Sequence, residues 1–247
     1  MIEIKSETEL ALIEEAGRIV NKVIDEIKKI ARPGTTTLEL DTRAEEVIKG
    51  LGARSAFKGY KGFPGTICAS LNEQVVHGIP GKRMLMPGDI LSIDVGVEKA
   101  GYFGDAACTI GIGEEISDKA KDLIDATKKS LEAGMAKAVE GNRLFDISHA
   151  IQQYVEGRGY SVVRDFVGHG IGKSMHEEPE IPNFGKPGTG PRLKKGMVLA
   201  IEPMVNEGRC EVEILDDGWT AVTKDRKLSA HFEHTICVTD KGPRILA

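Results

Sequence analysis

An internal repeat constrains what this 247-residue chain can fold into more than any other feature of its sequence. Residues 88–95 read Gly-Asp-Ile-Leu-Ser-Ile-Asp-Val, and residues 196–203 read Gly-Met-Val-Leu-Ala-Ile-Glu-Pro, so that Asp94 and Glu202 occupy equivalent positions. Self-similarity of this kind is typical of a chain built from copies of one unit. We therefore predict a single domain, residues 1–247, with copies at roughly 33–110 and 140–240.

A second acid recurs in the same way. Asp105 begins the segment Asp-Ala-Ala-Cys-Thr-Ile, and Glu233 begins the segment Glu-His-Thr-Ile-Cys-Val. A two-fold relation between the copies would bring four equivalent acids towards one centre, namely Asp94, Asp105, Glu202 and Glu233. The alternative is that each acid is a solvated residue on a surface strand.

The segment 87–109 predicts the β-hairpin that carries the first two acids. It is rich in strand-forming residues, and Gly101 stands where the chain must reverse. Asp94 lies inside the apolar run of this hairpin, where a carboxylate is costly to bury without a cation or hydrogen-bond donors. The hairpin is therefore the first sign of a functional site.

Helices are predicted ahead of the strands in each copy. Ser6 and Glu9 form a capping box before one helix, and Thr36 and Glu39 can cap a second. The second helix has an apolar stripe of Leu40, Ala44, Val47, Ile48 and Leu51. A long amphipathic helix is predicted over 117–139 and another over roughly 146–157. We interpret these stripes as core.

Composition excludes several functional classes. The net charge is −5 and no basic run exceeds two residues, which gives no reason to expect nucleic-acid recognition. No stretch approaches transmembrane length, and the first residues lack the apolar core of a signal peptide. The four cysteines form no C-x-x-C pair, so we expect them to be reduced in a cytoplasmic protein.

A glycine-rich segment, 57–80, brings three of the few aromatic residues together. Phe57, Tyr60 and Phe63 are separated by glycines, and clustered loop aromatics can line an apolar pocket. They could equally well only cover the sheet. His77 ends the strand-like run that follows, where it could also be a structural residue.

Two further histidines follow glycine-rich sequence. His169 lies between Gly168 and Gly170 in a predicted strand-to-turn segment, which would let its ring approach a ligand closely. His176 begins His-Glu-Glu-Pro, which lacks the second histidine of a zincin helix, so we interpret it as an isolated imidazole near a turn. Farther on, His231, Glu233 and His234 could make a local metal site, although strand alternation places His234 on the other face.

Four carboxylates with one imidazole and no thiolate form an oxygen-rich site suited to hard or borderline divalent ions. Four converging negative charges repel one another unless cations are present. Two divalent ions would offset that charge, as in two-metal sites that activate water for hydrolysis.

Taken together, these motifs are similar to those of the type I methionine aminopeptidases. The likeness runs through His77-Gly-Ile-Pro, Gly104-Asp105, Gly168-His169-Gly-Ile-Gly, His176-Glu-Glu-Pro and Glu233-His-Thr, and it covers nearly the whole chain. It implies the pita-bread fold, an α+β duplication with a curved, largely antiparallel sheet and helices on its outer face.

The resemblance also implies roles for individual residues. It assigns as metal ligands Asp94, Asp105, His169, Glu202 and Glu233, with Asp105 and Glu233 bridging two ions of Co, Mn, Fe or Zn. His77 and His176 would handle substrate, and Glu202 would also transfer protons. The methionine pocket would be lined by Tyr60, Phe63, Cys68, Met175 and Trp219. Relatives are expected to carry an aromatic residue at 175 and often Tyr at 63, and Met175 and Phe63 keep the pocket apolar.

The implied activity is removal of the N-terminal methionine from nascent proteins and peptides whose second residue is small. The expected partners are peptides and nascent chains, with the ribosome as a candidate, and the protein is expected to be a cytoplasmic monomer. One alternative is a proline-specific (Xaa-Pro) peptidase of the same fold, although such relatives usually carry a large additional N-terminal domain. Another is a non-catalytic peptide-binding relative.

Overall fold

The computed structural model describes residues 2–247, in which two α-helices and five strands are followed by two further α-helices and ten strands. The helices are α1 Glu7–Ile30, α2 Thr37–Gly50, α3 Asp118–Met135 and α4 Leu144–Gly157. The first five strands are β1 Arg54–Ser55, β2 Cys68–Leu71, β3 Gln74–Val76, β4 Ile90–Lys99 and β5 Tyr102–Gly111. The others are β6 Ser161–Val162, β7 Gly168–Gly170, β8 Glu177–Ile181, β9 Val198–Ile201, β10 Met204–Asn206, β11 Val212–Ile214, β12 Ala221–Thr223, β13 Ser229–His231, β14 Glu233–Cys237 and β15 Arg244–Ile245.

The helix starts follow the capping residues that the sequence contains. Capping boxes at Ser6 and Thr36 begin α1 and α2, as predicted. Helix α4 begins two residues earlier than predicted, where the Asp146 carboxylate accepts the Arg143 main-chain N–H at 2.7 Å. Helix α3 ends at Met135, and the chain leaves it through a tighter turn with the bond from Ala138 N–H to Met135 C=O.

One assignment on α2 was wrong. Leu51 follows the last residue of the helix and is 43% exposed, whereas Leu40, Ala44 and Ile48 are buried. Helix α2 ends at Gly50, so Leu51 does not continue the buried stripe. None of the helices in residues 2–247 combines the length and apolarity that crossing a membrane requires.

The large sheet has the strand order β1-β4-β5-β14-β9-β7-β8, with β2 also paired to β4 and β15 to β14. Every one of these pairings is antiparallel. Strands β5 and β14 pair at the middle of the sheet. The other neighbour of β5 is β4, which carries Asp94, and the other neighbour of β14 is β9, which ends just before Glu202. This order agrees with a two-fold arrangement, and the duplication itself stays a prediction.

The helices cover the sheet face opposite the acids. On β4, Leu91, Ile93, Val95 and Val97 are fully buried in one core cluster with α1 and α2. Asp94 has the opposite parity on the same strand, so its side chain projects from the other face. A second core cluster joins α3 and α4 to β9. The antiparallel α+β architecture predicted from the sequence is confirmed.

Two smaller sheets frame the uncovered face. Their orders are β13-β10-β6 and β11-β12-β3. Strands β11 and β12 pair with each other, and Trp219 lies just before β12. His169 was predicted where a strand enters a glycine-rich turn, and it belongs to the strand: it lies inside β7, which pairs with both β8 and β9.

Asp41 of α2 fastens the loop that enters β2. Its Oδ1 accepts the main-chain N–H groups of Thr66 at 2.6 Å and Ile67 at 3.0 Å, and the residue is buried. We expect Asp41→Ala to lower the free energy of unfolding by about 1–3 kcal/mol, because two buried donors lose their acceptor. Urea denaturation measures the loss. Asp41→Asn, which keeps an acceptor oxygen, is the control and should lose less; equal losses in the two variants would contradict this role.

Candidate active site

Strand register brings the four predicted acids together on one face of the sheet. Ala107 of β5 stands opposite Asp94 on one side and opposite Glu233 on the other. Asp105 lies two residues before Ala107 and therefore projects from the same face. Glu202 directly follows β9, the strand next to β14. The alternative of four separate surface acids does not describe this arrangement.

His169 joins the acids from β7. Its Nε2 lies 3.5 Å from Glu202 Oε1 and 3.9 Å from Asp105 Oδ2. Its Nδ1 lies 2.9 Å from the main-chain oxygen of Gly170. With the Nδ1 proton donated to that oxygen, the Nε2 lone pair faces the carboxylates, which is the orientation typical of a metal-binding histidine.

The donor set fits divalent cations. Two groups of side chains have potential ligand atoms within 4.8 Å of one another: Asp105, His169 and Glu233, and also Glu202, His231 and Glu233. Within residues 2–247 no hydrogen-bond partner is found for four buried atoms at the centre, Asp94 Oδ1, Asp105 Oδ1, Glu233 Oε1 and His231 Nε2. Buried acceptors without donors are costly, and cations would satisfy them.

Electrostatics point the same way. Burial raises the pKa of Asp94, Asp105, Glu202 and Glu233. Repulsion from neighbouring carboxylates raises the pKa of the last three further. Burial, with repulsion from His176, lowers the pKa of His169 to about 4, so its ring is neutral near pH 7 and able to act as a ligand.

A cavity of about 300 Å³ opens directly onto these acids. It is lined by every residue predicted for substrate binding, namely Tyr60, Phe63, Cys68, His77, Met175, His176 and Trp219. Phe63 and Trp219 meet edge to face with ring centroids 5.2 Å apart. Phe57, Tyr60 and Phe63 of the glycine-rich segment therefore line a pocket and do not merely cover the sheet.

The two remaining predicted histidines lie at this cavity, outside both metal-compatible groups. The ring of His176 is 4.3 Å from that of His169, and its Nδ1 lies 3.0 Å from the Tyr60 hydroxyl. Desolvation by the pocket walls, and then the Lys61 cation, lower the pKa of His176. His77 follows β3 with a positive φ of 59° and meets Phe166 edge to face, and burial with repulsion from His176 lowers its pKa to about 4.

Sequence reasoning missed several residues of the cavity. Val76, Phe166 and Met204 line it, and they come from three separate elements or loops. In the sequence, nothing marks these residues except that each lies within a few positions of His77, His169 or Glu202. As strand alternation indicated, His231 and Glu233 belong to one metal-compatible group and His234 does not, since His234 Nδ1 lies 2.7 Å from the main-chain oxygen of Ala247.

Comparison with known proteins gives a consistent picture. Residues 11–240 match the model of the metallopeptidase family M24. The chain is 56% identical to a methionine aminopeptidase of Clostridium acetobutylicum over 247 residues, covering 100% of this chain and 98% of the relative. It is 55% identical to methionine aminopeptidase 1 of Bacillus subtilis over 246 residues, covering 100% of this chain and 99% of the relative.

Solved structures agree. The crystal structure of methionine aminopeptidase from Thermotoga maritima superposes with a TM-score of 0.98 at 47% identity, covering 100% of this chain and 99% of that one. The prolidase from Pyrococcus horikoshii gives a TM-score of 0.80 at 23% identity, with 98% of this chain and 62% of that one covered, a likeness of fold alone. With its carboxylate and histidine cluster beside an apolar pocket, the chain belongs to metallopeptidase family M24, in the methionine aminopeptidase branch with the pita-bread fold.

Proposed function

We propose that this protein is a metal-dependent aminopeptidase that removes the N-terminal methionine from peptides and nascent proteins. One observation carries the proposal: an apolar pocket with Cys68, Met175 and Trp219 in its wall opens directly onto the buried cluster of carboxylates and imidazole. Such a pocket suits an unbranched, polarisable side chain, and sulfur and aromatic groups make favourable contacts with one another.

In this proposal Asp94, Asp105, His169, Glu202 and Glu233 would hold two divalent ions, and Asp105 and Glu233 would be the ligands that both ions share. Support comes from the unpartnered buried oxygens and from the position of Glu233 in both metal-compatible groups. Oxygen and nitrogen donors accept Co, Mn, Fe or Zn. When bound, such ions would supply Lewis acidity and lower the pKa of a water molecule for hydrolysis.

The chain's own groups then bind the substrate and move protons. Glu202 takes the proton of the attacking water and returns it to the nitrogen of the leaving peptide. The Tyr60 hydroxyl holds His176 Nδ1, so that the Nε2 proton is available to the oxygen of the scissile carbonyl. A donor aimed at the developing oxyanion stabilises the transition state. His77, whose ring lies beside that of Trp219, positions the substrate.

The biological setting is also part of the proposal. Its substrates are nascent chains with a small second residue, and the ribosome is a candidate partner. We propose that the protein works as a monomer in the cytoplasm. Its four cysteines are free, which supports a reducing compartment.

Peptide specificity tests this function. We expect cobalt- or manganese-loaded protein to release methionine from Met-Ala-Ser, with kcat/KM for Leu-Ala-Ser lower by about 10-fold or more, since small changes in a hydrophobic side chain alter pocket binding by that order. Met-Arg-Ser should also be cleaved more slowly, because the proposed substrates have a small second residue. Release of the first residue is followed by chromatography, with heat-denatured protein as the control.

Two outcomes would redirect the assignment. Preferred cleavage of Ala-Pro over Met-Ala-Ser would favour the proline-specific alternative. Binding of Met-Ala-Ser without turnover, in protein with full metal content, would favour a non-catalytic peptide-binding protein.

A further inference from the structure

A buried lysine ahead of α1 reaches the 171–176 loop, which joins β7 to β8 and presents Met175 and His176 to the cavity. The Lys5 side chain is only 2% exposed, and its Nζ donates to Glu177 Oε2 at 2.6 Å, although the two residues are 172 positions apart. Glu3 Oε2, on an exposed side chain, also accepts from Lys5 Nζ at 2.6 Å. A cation buried this deeply needs such partners, because its burial without them is costly.

The other oxygen of Glu177 holds the loop itself. Glu177 Oε1 accepts the main-chain N–H of Lys173 at 2.7 Å and that of Ser174 at 3.1 Å. Both bonds are charge-assisted, which makes them roughly twice as strong as bonds between neutral groups. Met175 and His176 lie between these N–H groups and their acceptor in the chain, so Glu177 closes a short ring of main chain around the two residues that line the cavity.

The backbone leaves room for the lysine at one glycine. A Cβ at Gly172 would lie 2.5 Å from both Lys5 Cε and Nζ and 2.8 Å from Glu177 Oε1, so a larger residue there would push the ion pair aside. Lys5 is also fixed by its main chain, since its N–H donates to the Gly196 C=O at 2.8 Å in the turn before β9. Burial lowers the pKa of Lys5, but the hydrogen bonds to Glu177 and Glu3 outweigh burial and raise it, so the ammonium is charged near pH 7.

We propose that Lys5 and Glu177 are positioning residues, which hold the 171–176 loop so that His176 faces the scissile carbonyl. The inference rests on the function proposed above and adds two residues that neither line the cavity nor belong to a metal-compatible group. Without the lysine, the partly exposed Glu177 carboxylate can turn towards solvent and release both N–H groups. A displacement of about 1 Å in a catalytic group can cost about 10²-fold in rate.

Kinetics of Lys5→Met and Glu177→Gln test this role. Each variant removes one charge of the pair with little change in side-chain length. We expect kcat for Met-Ala-Ser to fall about 10- to 100-fold in both, with unchanged metal content. Lys22→Met is the matched control and should match the wild type, because Lys22 is an exposed lysine on α1 that pairs only with Glu26 of the same helix.

The His176→Ala background separates positioning from stability. If Lys5 acts through His176, adding Lys5→Met to His176→Ala should lower kcat no further, because residues that act through one another are not additive. A merely structural lysine would reduce the folded fraction, and therefore the rate, by the same factor in both backgrounds. Equal factors in the two backgrounds, or an unchanged kcat in folded Lys5→Met, would overturn the inference.

A second measurement needs no activity. Amide hydrogen exchange at Lys173 and Ser174, followed by NMR, should be about 10-fold faster or more in Lys5→Met than in the wild type, because the loop opens when its acceptor turns away. The same measurement on Glu177→Gln applies if Lys5→Met does not fold. Unchanged exchange at both amides would overturn the inference, whereas a wild-type protein that releases no methionine would overturn the proposed function alone.

Discussion

Glu233→Ala should reduce methionine release to the rate seen without enzyme, and it should do so by removing the metal. Glu233 is 2% exposed at the start of β14, belongs to both metal-compatible groups and has an unpartnered Oε1. In the proposed centre this carboxylate is shared by two ions, so its loss should weaken the binding of both. Metal content after dialysis, measured by atomic emission alongside the peptide assay, should fall for both ions together.

Chelation of the wild type should give the same loss, and adding Co²⁺, Mn²⁺ or Fe²⁺ should restore activity in the wild type but not in Glu233→Ala. Glu180→Ala is the matched control, since Glu180 is an exposed glutamate on β8 that takes no part in the cluster. Full turnover in thoroughly metal-stripped protein would show that the carboxylates serve another purpose.

The second large effect concerns His176, which separates catalysis from metal binding. Its ring is held against Tyr60 and lies beside His169, but it belongs to neither metal-compatible group. We expect His176→Ala to lower kcat about 10²- to 10³-fold, the usual effect of losing one donor to a developing oxyanion. Both metals and the thermal stability should be retained.

Tyr60→Phe provides the companion variant. It removes the hydroxyl that holds His176 Nδ1 while keeping the ring that packs against it at a centroid distance of 5.3 Å. Its kcat should fall less than that of His176→Ala. If His176→Ala lost metal as readily as His169→Ala, His176 would be a ligand; if it turned over normally, it would be a structural residue.

The four acids could be predicted from the sequence because strand alternation and the cost of burying a carboxylate both depend on neighbouring residues. Burying the Asp94 carboxylate in an apolar strand costs free energy unless a cation or hydrogen-bond donors stabilise it. The equivalent acid at Glu202 indicated that the two carboxylates share the same stabilising group. Strand alternation then places Asp105 and Asp94 on the face opposite the helices. These inferences need only the alternation of residues along each strand and the comparison of two stretches of the same sequence.

Other features depend on contacts between distant segments. His169 could be recognised from its glycine neighbours, but the sequence did not show that β8 and β9 pair on both sides of it. Phe166 and Met204 have ordinary local sequence and become pocket residues only when β6, β10 and the loop before β7 meet. His231 was noticed beside Glu233 and His234, yet its main chain is held by Thr109 on another strand.

The position of the centre across β5 and β14 links its formation to folding of the whole chain. Asp105 N–H donates to Thr235 Oγ1, and Thr235 Oγ1 donates back to Asp105 C=O, although these residues are 130 positions apart. Such long sequence separations slow folding, because the loop must close before the contact is made. Neither half alone can present both acids of the central pair, so a growing chain has no complete centre until β14 has joined the sheet. Metal ions that bind only the finished centre then stabilise the whole molecule against unfolding, by an amount that grows with their concentration.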